Sequence, residues 1–254
     1  MILITNDDGI VAPGIRALVE VASKLDEVVV VAPDSPQSGK GHAITLDKGL
    51  KLRKVDIFGD IEAYECSGTP VDCVKLAKIL LFKDRKIDLC LSGINHGANS
   101  SVNIIYSGTM SAAMEASLEG IMSVGFSLLD FSFEADFSGA KIYAEKVIRS
   151  IMDKPLMHCN LLNVNIPACK PEDIQGIKVC RQGDGAWVES YEEGKDAQGE
   201  PFYWLSGSFV SYESETSDDH DLWALKNNYV SVVPSGHDLT CYKGIDNYRY
   251  LENL

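Results

Sequence analysis

Two carboxylates side by side, Asp7 and Asp8, lie in an Asn-Asp-Asp-Gly run directly after a short apolar segment. Aimed into one cleft, such a pair repels itself by about 1 to 4 kcal/mol at ~4 Å for effective dielectrics of roughly 80 to 20. A divalent cation relieves that cost. Two more polar clusters follow strand-like segments in the same manner: residues 34–41, which contain Ser38, and residues 92–99, which hold Asn95 and Asn99 between glycines. Carboxylate, hydroxyl and amide oxygens are hard ligands, so Asp7, Asp8, Ser38 and Asn95 together suit Mg²⁺ or Mn²⁺, or Ca²⁺, rather than a thiolate-loving metal. Downstream, Tyr106-Ser107-Gly108-Thr109 opens a stretch with helical spacing. The N–H groups and positive potential of a helix start there, joined by the hydroxyls of Ser107 and Thr109, fit a phosphate.

Each cluster also has a plainer reading. Asp-Asp-Gly is an ordinary turn and helix cap, Ser38 an ordinary loop serine, and Ser107 to Thr109 an ordinary cap. Position favours the chemistry, because the turn beyond the carboxyl end of a first parallel strand is where an α/β fold binds ligands. Other chemistries lack their signatures: there is no GxxxxGK[ST] loop, no GxGxxG after the first strand and no GxSxG elbow. The five histidines show no metal-binding spacing. His237, near the end of the chain, is at most a general acid for a leaving alcohol.

The elements that must position these residues follow from periodicity. Residues 1–5 form a short strand. Residues 13–25 place Ile15, Leu18, Val19 and Ala22 on one helical face behind a proline suited to the first turn, and the β-branched run 27–32 is a strand covered on both faces. After a less regular stretch through Gly59 containing one or two short strands, a helix is predicted over 69–82 with Thr69 as its cap. A strand at 88–92, a helix at 108–118, a strand at 123–128, a helix at 137–152 and a strand at 161–166 complete an alternation that predicts an open, Rossmann-like, mostly parallel sheet with helices on both faces. Beyond Pro167 the texture changes: glycines and aromatics over 182–212 suggest a projecting β-hairpin. A short helix at 221–226, a strand at 229–233 and a tail too polar for a central strand end the chain. The expected division is thus a catalytic body (1–181), an arm (182–212) and a carboxyl-terminal portion (213–254).

A net charge of −14 opposes broad contact with a nucleic-acid backbone, so any anionic ligand must be small and locally accommodated. No segment approaches the roughly 18 apolar residues of a membrane span, and no secretory signal precedes the first strand. Seven cysteines, an odd number without CxxC spacing, fit a reducing cytoplasm better than a disulfide framework.

NDDG at 6–9, PDSPQSG at 33–39, SGINHGAN at 92–99 and YSGTMSAAMEA at 106–116, in that order, resemble the SurE (survival protein E) nucleotidase family. YVSVVP at 229–234 and DLT at 238–240 are similar to its carboxyl-terminal portion, so the resemblance spans nearly the whole chain. It implies hydrolysis of nucleoside 5′- and 3′-monophosphates, with short polyphosphate a further substrate in some members. It also implies one divalent cation per subunit on Asp7, Asp8, Ser38 and Asn95, with Asn99, Ser107, Gly108 and Thr109 around the phosphate. A homodimer or homotetramer with exchanged carboxyl-terminal elements is expected, without nucleic-acid polymer or membrane as partner. Asp7 is the residue expected to orient or deprotonate water. A phosphoaspartate route is disfavoured, since it uses Asp-x-Asp and these carboxylates are adjacent. The rival is a regulatory module that binds a nucleotide without turning it over. Departures from the family pattern lie downstream, where Gly183-Asp184-Gly185 replaces more basic residues and Gly236-His237 shifts the histidine.

Overall fold

Strand β1 (Ile2–Thr5) is buried along its whole length, and the chain then winds to either side of it. In the computed structural model, which describes residues 1–132, 134–154 and 158–254, helix α1 (Pro13–Ala22) leads to β2 (Val28–Pro33), parallel to β1 on one side. An edge hairpin of β3 (Leu52–Val55) and β4 (Glu62–Cys66) extends the sheet beyond β2. Helix α2 (Pro70–Leu76) then carries the chain back to β5 (Leu89–His96), which pairs with the opposite side of β1. Helix α3 (Gly108–Leu118), β6 (Met122–Leu128), helix α4 (Ser138–Asp153) and β7 (Leu161–Ile166) continue the parallel progression. This is the Rossmann-like sheet expected. The topological switch falls between β1 and β5, where such folds open a crevice beyond the carboxyl ends of the strands.

Helices cover both faces. Apolar residues of α1 and α4, including Ile15, Leu18, Ala144 and Ile148, bury one face with Ile4, Val30 and Val124. Val74, Ala112 and Ala116 of α2 and α3 bury the other with Leu3, Val29 and Val31. Continuous β-branched strands follow from this two-sided cover. Thr69 caps α2 in a reciprocal capping box with Asp72, and Pro70 occupies the first turn. The helix then widens into one π turn (Ala77–Leu81), so the predicted span 69–82 is helical but not uniformly α.

Several boundaries depart from the sequence reading for local reasons. Helix α1 stops at Ala22 rather than at Leu25, and Asp26 turns back to the amino group of Met1. The polar, half-exposed β4 and the four-residue β8 (Gly176–Val179) lack the apolar runs that mark central strands, as sheet margins commonly do. Strand β5 continues to His96 instead of ending at Ser92, with its register against β6 shifted between Ser92 and Asn95.

Beyond the body, β9 (Gly185–Lys195) and β10 (Pro201–Ser211) pair antiparallel as a separate two-stranded arm. Helix α5 (Asp221–Lys226) precedes β11 (Tyr229–Ser235), which inserts between β7 and β8, antiparallel to β7 and parallel to β8. The tail beyond it holds only short helical turns and is almost wholly exposed. Among the described residues, no helix is long and apolar enough to cross a membrane.

Candidate active site

The Asn-Asp-Asp-Gly turn leaves β1 at the switch point. Buried Asn6 closes it by donating Nδ2 to the carbonyl of Gly9, 2.8 Å away. Neither carboxylate caps α1: the capping position is Ala12, without a side-chain hydrogen bond. Asp7 instead points across to α3, where the Thr109 hydroxyl donates to its Oδ1. Asp8 Oδ2 accepts from the His96 main-chain N–H at 3.3 Å. The turn is therefore tied to both α3 and the end of β5.

The loop after β2 is bound to the same turn through backbone. The Gln37 N–H donates to the Asp7 carbonyl at 2.8 Å, and Gly41 N–H to the Tyr106 carbonyl at 3.2 Å, which brings Ser38 to the rim. Farther along, buried Glu115 of α3 accepts from His42 Nε2 at 2.9 Å and from Lys75 of α2, while Thr45 donates its hydroxyl to Asp72 at 2.7 Å. A long polar loop is thus held at several places along its length.

In β5 the register shift behaves as a bulge, which re-aims the residues after it. Gly93 sits at φ +126°, open to glycine but not to other residues, and a β-carbon there would lie 2.3 Å from the Phe126 carbonyl oxygen. On the helix side, a β-carbon on Gly14 would fall 1.9 Å from the Ile94 carbonyl oxygen. Two glycines thus clamp the bulge between α1 and β6. Asn95 then faces the cleft with its Nδ2 spent on the Gly97 carbonyl at 2.7 Å, so Oδ1 is the atom left to act as a ligand.

Asp7, Asp8, Ser38, Asn95, Asn99 and Ser107 line one cleft of about 340 Å³. Gly108 and Thr109 do not line it. They stand behind Asp7, Thr109 fully buried and holding its carboxylate. Ser107 lines the cleft and also caps α3 by accepting from Met110 N–H at 3.0 Å, so the capping and chemical readings coexist there. His237 is exposed beyond β11 and is not among the lining residues.

Burial pushes the Asp7 carboxyl up to about 6, with the Thr109 hydrogen bond opposing and the Asp8 charge reinforcing the shift. Burial likewise raises Asp8, against the His96 N–H. Two acids with suppressed ionisation in one cleft are what a bound cation would reverse. The donors available are two carboxylates, a hydroxyl and an amide oxygen, and the described residues contain no cluster of three or more His, Cys, Asp or Glu that could hold a metal. The set fits a hard, oxygen-seeking divalent ion and no thiolate site.

A polar network beneath the cleft escapes the sequence reading. Asn99 is 6% exposed. Its main-chain N–H donates to Asn165 Oδ1 at 2.7 Å, its Nδ2 to Ser127 Oγ at 2.8 Å, and its carbonyl accepts from Asn163 Nδ2 at 2.8 Å. Asn165 Nδ2 in turn donates to Asn163 Oδ1 at 2.9 Å. The signal was present in Leu-Leu-Asn-Val-Asn-Ile: two amides at alternate positions of an otherwise apolar strand share one side and require partners. Trp187 is a second omission. The arm delivers it to the cleft mouth, where its Nε1 donates to Asn103 Oδ1 at 2.7 Å.

The fold and site define a Rossmann-like α/β protein whose switch-point crevice is acidic, oxygen-lined and faced by a helix start. The model of the family described as Survival protein SurE matches residues 2–189, and the chain belongs to that family. It is 52% identical over 246 residues to the 5′-nucleotidase SurE of Flavobacterium psychrophilum, covering 96% of this chain and 95% of that one. With the 5′-nucleotidase SurE of Bacteroides thetaiotaomicron it shares 42% identity, covering 97% and 93%. The crystal structure of the SurE protein from Aquifex aeolicus superposes with a TM-score of 0.84 at 41% identity, covering 99% of each chain.

Proposed function

We propose that this chain is a divalent-cation-dependent phosphomonoesterase that converts nucleoside 5′- and 3′-monophosphates to nucleoside and phosphate, with short polyphosphate as a further substrate. The observation that supports the chemistry is the arrival of Asp7, Asp8, Ser38 and Asn95, from three separate stretches of the chain, in one cleft. The names of the relatives support the substrate class.

Asp7, Asp8, Ser38 and Asn95 would hold one cation per subunit, Mg²⁺ or Mn²⁺, with Ca²⁺ able to occupy the same oxygens. When bound, the cation neutralises charge on phosphoryl oxygens and lowers the pKa of a water. Asp7 has one oxygen fixed by Thr109, which leaves Oδ2 to orient a water and receive its proton. Ser107, which caps α3 and lines the cleft, would face the phosphate, and the positive end of the helix behind Asp7 would favour the charge that develops in the transition state. Asn99, fixed on three sides by its network, presents its side chain at the same wall.

The arm and tail support an assembly larger than one chain. Trp204 is 67% and Leu239 94% exposed. A second or fourth copy, with the carboxyl-terminal portion exchanged, would cover such residues. The cysteine pattern supports action in the cytoplasm.

The test is phosphate release from a panel of 5′- and 3′-mononucleotides with Mn²⁺, with and without EDTA, run beside thermal-shift binding. Turnover that chelator silences and Mn²⁺ or Mg²⁺ restores supports the reading. Stabilisation by nucleotide without turnover would make the chain a binding module.

A further inference from the structure

A second hollow, of about 590 Å³, adjoins the acidic cleft and shares Gly39, Tyr106 and Trp187 with it. Its far wall is the arm. Along β9 and β10 the strand period of two places Trp187 and Glu189 on one side, paired across the ladder with Phe209 and Gly207, with Leu205 next along. Trp187 is held in position twice, by its hydrogen bond to Asn103 and by an edge contact with Phe209 at a centroid separation of 5.9 Å. Opposite stands Tyr106, 56% exposed and immediately before Ser107, the cap of α3. Glu189 is exposed, and Gly207, its partner across the ladder, adds no side chain to this wall.

The two hollows carry different polar groups. The first has the carboxylates of Asp7 and Asp8 with hydroxyls and asparagine amides beside Tyr106, Phe131 and Trp187, and the second has Tyr106, Trp187, Leu205 and Ser206 with the single carboxylate of Glu189. A molecule that fills both has a phosphate at one end and a flat ring at the other. Aromatic faces stack on any nucleobase, so Tyr106 and Trp187 alone would not distinguish bases. A carboxylate does distinguish them, because it only accepts hydrogen bonds and can accept two in parallel. Guanine offers two adjacent donors, its ring N1–H and its exocyclic amino group. Adenine and cytosine offer an amino group beside an acceptor, and uracil an N–H between two carbonyls.

We propose that the hollow between Tyr106 and the arm is a nucleobase subsite, with Trp187 as its stacking platform and Glu189 selecting guanine. The inference rests on the nucleotidase reading for the position of the phosphate, but the subsite itself requires neither cation nor turnover.

The experiment therefore has two arms on the full-length protein. In the first, guanosine, adenosine, cytidine and uridine are titrated by calorimetry in EDTA. Guanosine binds most tightly, Trp187→Ala weakens it about tenfold, Trp187→Phe restores most of that loss, and Glu189→Gln erases the preference among bases. In the second, kcat/KM with Mn²⁺ is compared for GMP and ribose 5-phosphate, and Trp187→Ala lowers the ratio about tenfold. Guanosine affinity indifferent to both Trp187→Ala and Glu189→Gln, or no nucleoside binding at all, overturns the subsite. Guanosine binding with the expected mutational pattern but no phosphate release from any ester rejects the nucleotidase reading and leaves the subsite standing.

Discussion

Gly108 packs against Asp7 so closely that a β-carbon at position 108 would lie 2.7 Å from the Asp7 β-carbon and 2.9 Å from its Oδ2. The first residue of α3 therefore sets where the deepest carboxylate of the cleft can stand. Gly108→Ala should keep the fold, since alanine favours a helix, but should displace Asp7 and lower kcat/KM for AMP by about a hundredfold or more. Steady-state kinetics beside circular dichroism checks this. Wild-type turnover in a folded Gly108→Ala variant would break the link between the glycine and the carboxylate.

The carboxylates themselves are tested by amide replacement. Asp7→Asn and Asp8→Asn preserve shape and remove charge. Each should abolish phosphate release from AMP while far-ultraviolet circular dichroism stays unchanged. Full activity in either would reject that residue's assignment.

The Asn99 network makes a separate prediction, because its members lie under the cleft. Asn165→Val leaves the Asn99 N–H without its acceptor and costs about 1 to 3 kcal/mol in stability. Turnover should fall further than that loss explains, with kcat dropping while KM changes little, since the wall is displaced and the base-binding region is left intact. Urea denaturation read beside kinetics separates the two effects, and activity that merely follows the folded fraction would refute a positioning role.

Glu115 carries the pH dependence. Burial pushes its carboxyl up, but the hydrogen bonds from Lys75 and then His42 outweigh that and hold it below its ordinary value. As pH falls, the unfolded carboxyl near 4.5 takes its proton first, so the unfolded state gains protons and stability drops. The contribution is complete at neutral pH and disappears as pH passes down through the folded value. Glu115→Gln should therefore destabilise by about 1 kcal/mol at pH 7, a modest figure because Lys75 is partly exposed, and by less at pH 3. Denaturant titrations at the two pH values measure the gap, and an equal gap at both would sink the assignment.

Assembly is checked by light scattering behind a sizing column. A dimer or tetramer is expected, and Trp204→Glu on the exposed arm should lower the mass toward one chain if a second copy covers it. An unaltered mass would move the interface elsewhere.

The parallel body was legible because its strands are apolar on both faces and its helices carry one apolar stripe. Val28 to Val31 and Ile15 with Leu18 announce themselves by periodicity alone. The NDDG turn and the asparagine loop were legible as chemistry through their position after such strands. What stayed hidden depends on contacts distant in sequence. Nothing local to Gly108 signals that it packs on Asp7, and Thr109 reads as a phosphate donor until α3 is seen to aim it at a carboxylate. The extension of β5 through His96 was masked by glycine and asparagine, residues that ordinarily end strands. Trp187 reads in the sequence as one aromatic among several on the arm, because no periodicity reveals which cleft an arm leans over.

The clamp of Gly14 and Gly93 on the β5 bulge makes the floor of the cleft a joint of the hydrophobic interior rather than an ornament laid over it. Such a floor has no melting point of its own. On heating, catalytic competence and the cooperative structure of the sheet should vanish together, whereas a site carried on a free surface loop would fail first. Thermal inactivation and loss of ellipticity should consequently trace one curve, and attempts to harden this protein against heat gain more from the margins of the sheet than from its centre.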